Sequence, residues 1–257
     1  MDDFSRCTWV YLLKLKLDTQ VLLPSFANIV KTQFNSNIKT IRSDNGTKFY
    51  LKDFFHFNGI LHQLSCVDTP QQNAIVERKH QYILNVARVL RFQFKVPLYF
   101  WGVCILTVVH LINRVPSKSL GNKSPYEILF NTSPSYTHLR SFGCLCFIST
   151  SPNHRHKFAP SARKCVFLGY PHGIKSYKVL DLDSNFVFVS RIIVFYESIF
   201  SYAFASHPST SYLDDFVFPH ATSNVPCSTD FVSPLLSSTT VIILIPCLPM
   251  TLLWQNH

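Results

Sequence analysis

Glycine is scarce in this 257-residue chain, with seven in all. None are gathered into the kind of loop that wraps phosphates in nucleotide-binding enzymes. A secretory leader is lacking as well, because the chain opens Met1-Asp2-Asp3 instead of running from basic to apolar residues. No run of residues suits a membrane span. The longest apolar stretch, Val241 to Trp254, is too short and is broken by Pro246 and Pro249. Eight cysteines are scattered too thinly for a disulfide framework in a chain this long. An intracellular, reduced protein is therefore expected. Positive charge is absent from one end: all 24 Lys and Arg fall in residues 1–200, and residues 201–257 carry only Asp214, Asp215 and Asp230.

What is present points to a folded, basic body. At 47% hydrophobic and 14% aromatic the chain is too apolar to be disordered throughout, and its length allows one large domain or two smaller ones. The net charge of +10 is +13 over residues 1–200 offset by −3 beyond them, and this basic body calls for a polyanionic partner, nucleic acid first. Phe4 to Leu13 reads as a strand entering a core, with Asp18 or Thr19 capping a helix to about Gln33. Ile38 to Arg42 reads as a short strand, stopped by the turn Asp44-Asn45-Gly46. A short helix over Asp53–Phe57 and a strand over Leu61–Leu64 follow. The loop Thr69 to Asn73 leads into a long helix over Ala74–Phe94, closed by Pro97. A nearly all-apolar helix is expected over Leu98–Asn113, and Ser124-Pro125 opens another.

From Phe142 the texture turns to short β-rich stretches separated by Pro, Gly, Asn and Asp, which implies a small all-β unit. Beyond about Ser201 the chain is Ser/Thr/Pro-rich without a sustained period and reads as a linker or disordered tail.

Two carboxylates draw attention. Asp44 ends a strand and Glu77 opens a long helix, a disposition that can converge on divalent cations for phosphoryl transfer. Taken alone, the same residues more often serve as turn chemistry and helix-dipole compensation. Arg78, Lys79, Arg88, Arg91 and Lys95 lie on or just beyond that helix and are candidates for phosphate contact, against the alternative of a solvated basic face. Cys144-x-Cys146 with His154-x-His156 offers four zinc ligands, but zinc is disfavoured on the expectation that the extended Cys-x-Cys sends one sulfur to each face. Cys66 and Cys104 sit in apolar contexts and read as core.

The words around these residues carry a resemblance. RSDNGTKF and GILHQLSCVDTPQQNAIVERKH, preceded by DDFSRCTWVYLLK and followed by FGCLCF, KCVFLGY and FVSRIIVFYESIF, resemble the integrase of copia-type long-terminal-repeat retrotransposons over about residues 2–200. The resemblance implies an α/β RNase H-like core over residues 1–115, a helical connector over 116–141, a small SH3-like β-barrel over 142–200 and a tail over 201–257 without a counterpart. It implies a polynucleotidyl transferase using Mg²⁺ or Mn²⁺, with Asp44 and Glu77 as metal-binding catalytic residues. Its partners would be DNA, both element ends and target, with homo-oligomers by analogy and neither a membrane nor a small-molecule substrate. A functional copy would act in the nucleus.

The family's first Asp lies on a strand upstream of Met1, and Asp2 and Asp3 match a later motif, so a truncated, catalytically inactive fragment is expected. Three departures agree with that. Asp44 and Glu77 are separated by 32 residues, fewer than usual; Asn73-Ala74 replaces Asn-Gly; and Lys48 stands where the family usually has an acidic residue. Ile192 likewise replaces an Asp in the β-module. Two further readings follow from the residues: a non-enzymatic basic DNA-binding remnant, or a zinc or protein-interaction module at 142–200.

Overall fold

The computed structural model describes residues 1–13, 15–65, 74–149, 158, 160–200 and 241–244. The chain divides into two compact units. One comprises Met1–His80, Val115–Thr132 and Thr210–His257; the other comprises Gln81–Arg114 and Ser133–Ser209.

The first unit is built around an aromatic and aliphatic core of Leu13, Leu23, Phe26, Ile38, Ile41, Phe49, Phe55 and Ile60. Strand β1 (Val10–Leu13) enters it as a continuous apolar run, with Val10, Leu12 and Leu13 buried. Helix α1 (Thr19–Phe34) lays Leu23 and Phe26 into the same core. Trp9 and Tyr11 meet the Phe26 ring edge-on at 5.4 and 6.0 Å, and burial pushes the Tyr11 phenol up to about 12.

Asp18 does stand at the start of α1, but it does not cap it. Its own backbone is helical and its Oδ2 accepts from the Leu15 N–H at 3.0 Å, tying down the preceding turn instead. At the other end, Asn35 takes the left-handed conformation (φ 47°) that closes many helices.

Strand β2 (Thr40–Ser43) runs parallel to β3 (Leu61–Leu64), with Thr40 opposite Leu61 and Ser43 opposite Leu64. A 3₁₀ turn (Thr47–Phe49) and the short helix α2 (Lys52–Phe57) form the crossover. The long helix α3 (Ala74–Gln93) starts in this unit and continues into the other.

The second unit contains α4 (Trp101–Ile112), whose Val103, Cys104, Ile105, Val108 and Val109 are buried, as its apolar composition requires. Returning to the first unit, α5 (Pro125–Phe130) starts as its sequence dictates, with Pro125 at the first helical position and the Ser124 Oγ accepting from the Glu127 N–H at 3.1 Å.

Five antiparallel strands complete the second unit: β4 (Leu145–Ser149), β5 (Ala162–Gly169), β6 (Tyr177–Asp181), β7 (Val187–Ser190) and β8 (Ile193–Tyr196), ordered β7-β6-β5-β4-β8. Cys144, Cys146, Ile148, Cys165, Phe167 and Val179 fill one face. On the other face Thr107 of α4 donates its hydroxyl to the Leu168 carbonyl. Gly169 (φ +126°) is obligatory there, because a Cβ would collide with the Thr107 Oγ1.

Two expectations are corrected. Cys144 and Cys146 do not point to opposite faces. Both are fully buried in one cluster, because residues two apart in extended chain share a face. Nor is all of 201–257 linker: Val241–Leu244 forms β9, antiparallel to β1, with Val10 opposite Leu244 and Leu13 opposite Val241. Among the described residues no helix is long and apolar enough to cross a membrane.

Within the second unit, His110 near the end of α4 faces His138, Nε2 to Nε2 at 3.3 Å, and stacks on Tyr170 at 4.1 Å. Such a bond between rings requires at least one unprotonated nitrogen. Burial, then Arg114 and His138, push His110 down to about 3; burial first, then Arg114, Arg140 and Lys175, lower His138. Below the ordinary value of 6.5 the unfolded chain therefore binds the extra protons, and stability held at neutral pH is lost as the pH falls. His110 alone accounts for about 2 kcal/mol between about pH 7 and about pH 5. Thermal unfolding of the whole chain followed over that range is expected to show this acid-side loss, and His110→Phe is expected to remove most of it.

Candidate functional site

The Asp44 turn is set by the end of β2. Its Oδ1 accepts from the Gly46 N–H at 3.1 Å, closing an Asx turn, and its Oδ2 lies 3.3 Å from the Lys48 ammonium. The 3₁₀ turn at Thr47–Phe49 carries Lys48 back over the acid, four residues on. Behind the turn, the Ser43 hydroxyl donates to the Asp44 carbonyl at 2.9 Å and lies 2.8 Å from the His62 Nε2. The His62 ring packs on Phe55 at 4.3 Å, and burial lowers its basicity. Arg42 reaches across to the Oε1 of Gln63, its register partner on β3, at 3.1 and 3.3 Å.

Glu77 occupies the first turn of α3 and is exposed. Among the described residues no group of three or more His, Cys, Asp or Glu is disposed to hold a metal ion. Asp44 is engaged by a backbone amide and a lysine, and among the described residues Glu77 joins no group of three or more potential ligands. The loop Thr69 to Asn73, Cys66 and the proposed zinc ligands His154 and His156 lie outside the described residues. Burial pushes the Cys144 and Cys165 thiols up to about 12 and the Cys146 thiol higher still, which suits neutral core side chains and opposes thiolate ligands.

The basic residues differ in setting. Arg78 is exposed and its Nε donates to the Ala74 carbonyl at 3.1 Å. Lys79 is half-buried, its basicity lowered chiefly by burial, with the charges of Cys7 and Arg6 also acting on it. Arg88 is exposed and bonds the Asn85 Oδ1 at 3.3 Å. Arg91 lies one turn further, over the Phe92 ring at 4.5 Å, and Lys95 follows the helix in a left-handed conformation (φ 52°). Arg88 and Arg91, three residues apart, share a helix face; Arg78 and Lys79 are adjacent and diverge by about a quarter turn.

Sequence reasoning missed Lys48 as the partner of Asp44, although the four-residue spacing through a turn was available as a signal. It also missed the His110–His138 contact, for which a separation of 28 residues gives no local signal.

Gly46 is held tightly: a Cβ there would lie 2.8 Å from the Asp44 Oδ1. Its backbone is extended (φ −65°), so alanine is tolerated by conformation and the carboxylate must swing away. Gly46→Ala is expected to change stability by less than about 1 kcal/mol, one lost bond being offset by a stiffer unfolded chain. Amide exchange at residue 46 is expected to accelerate; unchanged protection would contradict the Asx turn.

With this geometry in place, comparison with known proteins supplies the relationship. Residues 144–208 match the retroviral polymerase SH3-like domain. The chain is 37% identical over 204 residues to the retrovirus-related Pol polyprotein from transposon RE1 of Arabidopsis thaliana, covering 79% of this chain and 14% of that protein. It is 32% identical over 235 residues to the retrovirus-related Pol polyprotein from transposon TNT 1-94 of Nicotiana tabacum, covering 90% of this chain and 18% of that protein. That share is more than residues 1–200 alone can fill, so the stretch beyond Ser201 does have a counterpart in a relative, contrary to the expectation from sequence. A cryo-electron microscopy structure of a simian T-cell lymphotropic virus intasome with the PP2A regulatory subunit B56 gamma aligns at a TM-score of 0.36 and 10% identity, over 71% of this chain and 73% of that one; a score this low carries no argument. The chain spans less than a fifth of the length of these Pol polyproteins. Its homologues are thus retrotransposon Pol polyproteins, and it carries a retroviral SH3-like domain within a mixed fold of helices and sheets.

Proposed function

We propose that the chain is the integrase segment of a copia-type Pol polyprotein and that its own contribution is to bind DNA, without catalysing strand transfer by itself. In this reading residues 1–115 form an RNase H-like core, 116–141 a connector, 142–200 the SH3-like module and 201–257 a tail. The observation that carries the proposal is the relationship to retrotransposon Pol polyproteins over 79% of the chain, together with the SH3-like domain. The confinement of all 24 Lys and Arg to residues 1–200 supports a polyanionic partner for that body. Asp44 and Glu77 are the residues the family assigns to Mg²⁺ or Mn²⁺. Their setting favours the non-enzymatic DNA-binding role over an active transferase, since Asp44 is already paired with Lys48.

The test is DNA affinity as a function of salt. A logarithmic plot is expected to slope downwards by about 0.9 for each phosphate neutralised, and Arg88→Glu with Arg91→Glu to flatten it by about two such contacts. Salt-insensitive affinity would reject the reading. A strand-transfer assay with Mg²⁺ or Mn²⁺ is expected to be blank. Activity that Asp44→Asn and Glu77→Gln both abolish would restore the enzyme.

A further inference from the structure

We infer that the Asp44 turn carries its own cation, the Lys48 ammonium, and that this built-in charge stands in place of a divalent metal. Both carboxylate oxygens are engaged, Oδ1 by the Gly46 amide at 3.1 Å and Oδ2 by Lys48 at 3.3 Å. A hard dication such as Mg²⁺ takes carboxylate oxygens at about 2.0–2.1 Å in near-octahedral geometry and keeps several waters. Next to Asp44 it would have to displace the ammonium or tolerate its repulsion.

Lys48 is anchored twice. Its Nζ also lies 5.0 Å over the Phe49 ring, a cation–π contact. Its side chain is 20% exposed against 48% for Asp44, so the lysine is the more enclosed member of the pair. Among the described residues no group of three or more potential metal ligands gathers around the pair. The 3₁₀ turn at Thr47–Phe49 and the Asx turn before it thus hold one negative and one positive charge in contact, a neutral unit that has no need of an added ion.

The question of a metal arises only through the integrase reading above; the ion pair itself does not depend on it. An ion pair this exposed adds little to stability, so variants at both positions are expected to fold.

Manganese titration of the whole chain, followed by the electron paramagnetic resonance of the free aquo-ion, tests the inference, with circular dichroism confirming the fold of each variant. Wild type and Asp44→Asn are expected to give the same weak, non-saturating uptake. Lys48→Glu, which sets a second carboxylate beside Asp44, is expected to tighten binding by about tenfold or more, since affinity follows the number of charged ligands. That gain is expected to vanish when Asp44→Asn is added. The inference is overturned if wild type takes up one Mn²⁺ in a manner that Asp44→Asn weakens, or if folded Lys48→Glu gains nothing. DNA affinity measured on the same samples bears on the integrase reading alone, so the failure of one is distinguishable from the failure of the other.

Discussion

Burial of β5 on both faces is the constraint on which the second unit depends. Cys165, Val166, Phe167 and Leu168 are all fully enclosed, so the strand needs a cover on each side. One cover is the cluster of cysteines and aromatics, where Phe167 meets Tyr170, Tyr177 and Phe195 edge-on at 5.3 to 5.7 Å. The other is α4, which approaches closely enough that Gly169 has no room for a Cβ. A helix as apolar as α4 and a strand as apolar as β5 solve each other's exposure. Polar contacts of this unit include the His110–His138 pair and the Arg140–Glu197 and Arg163–Asp181 ion pairs.

At the Asp44 turn the chain illustrates how little separates a ligand from a structural acid. A carboxylate at a strand end offers two oxygens, and each can be engaged by neighbours other than a metal. Here one faces an amide and another an ammonium. The relationship to Pol polyproteins and the local chemistry of this turn therefore convey different things, the first about ancestry and the second about which groups hold Asp44.

Much of the fold was legible because the signals were local. Pro125 after Ser124, the apolar run of α4 and the short β-rich stretches of the β-module each dictate an element within a few residues. What failed depended on partners. Asp18 was read as a cap because its type suits one, yet the Leu15 amide claimed it. The Cys-x-Cys geometry was misjudged on strand periodicity itself, which places both sulfurs in one core. The strand at Val241–Leu244 was hidden because the opening of a proline-broken apolar run acquires meaning only beside β1. For the candidate site, the turn at Asp44 was plain from Asp-Asn-Gly, whereas its occupant depended on how far a lysine side chain folds back.

The pairing of β1 with β9 sets an order of events during synthesis. Leu13 is made more than two hundred residues before its ladder partner Val241. The sheet of the second unit needs no such wait, since β4, β5, β6 and β7 pair with immediate sequence neighbours. Local pairing is fast and distant pairing slow. The five-stranded sheet can therefore be complete while β1 still presents an open edge to other strands.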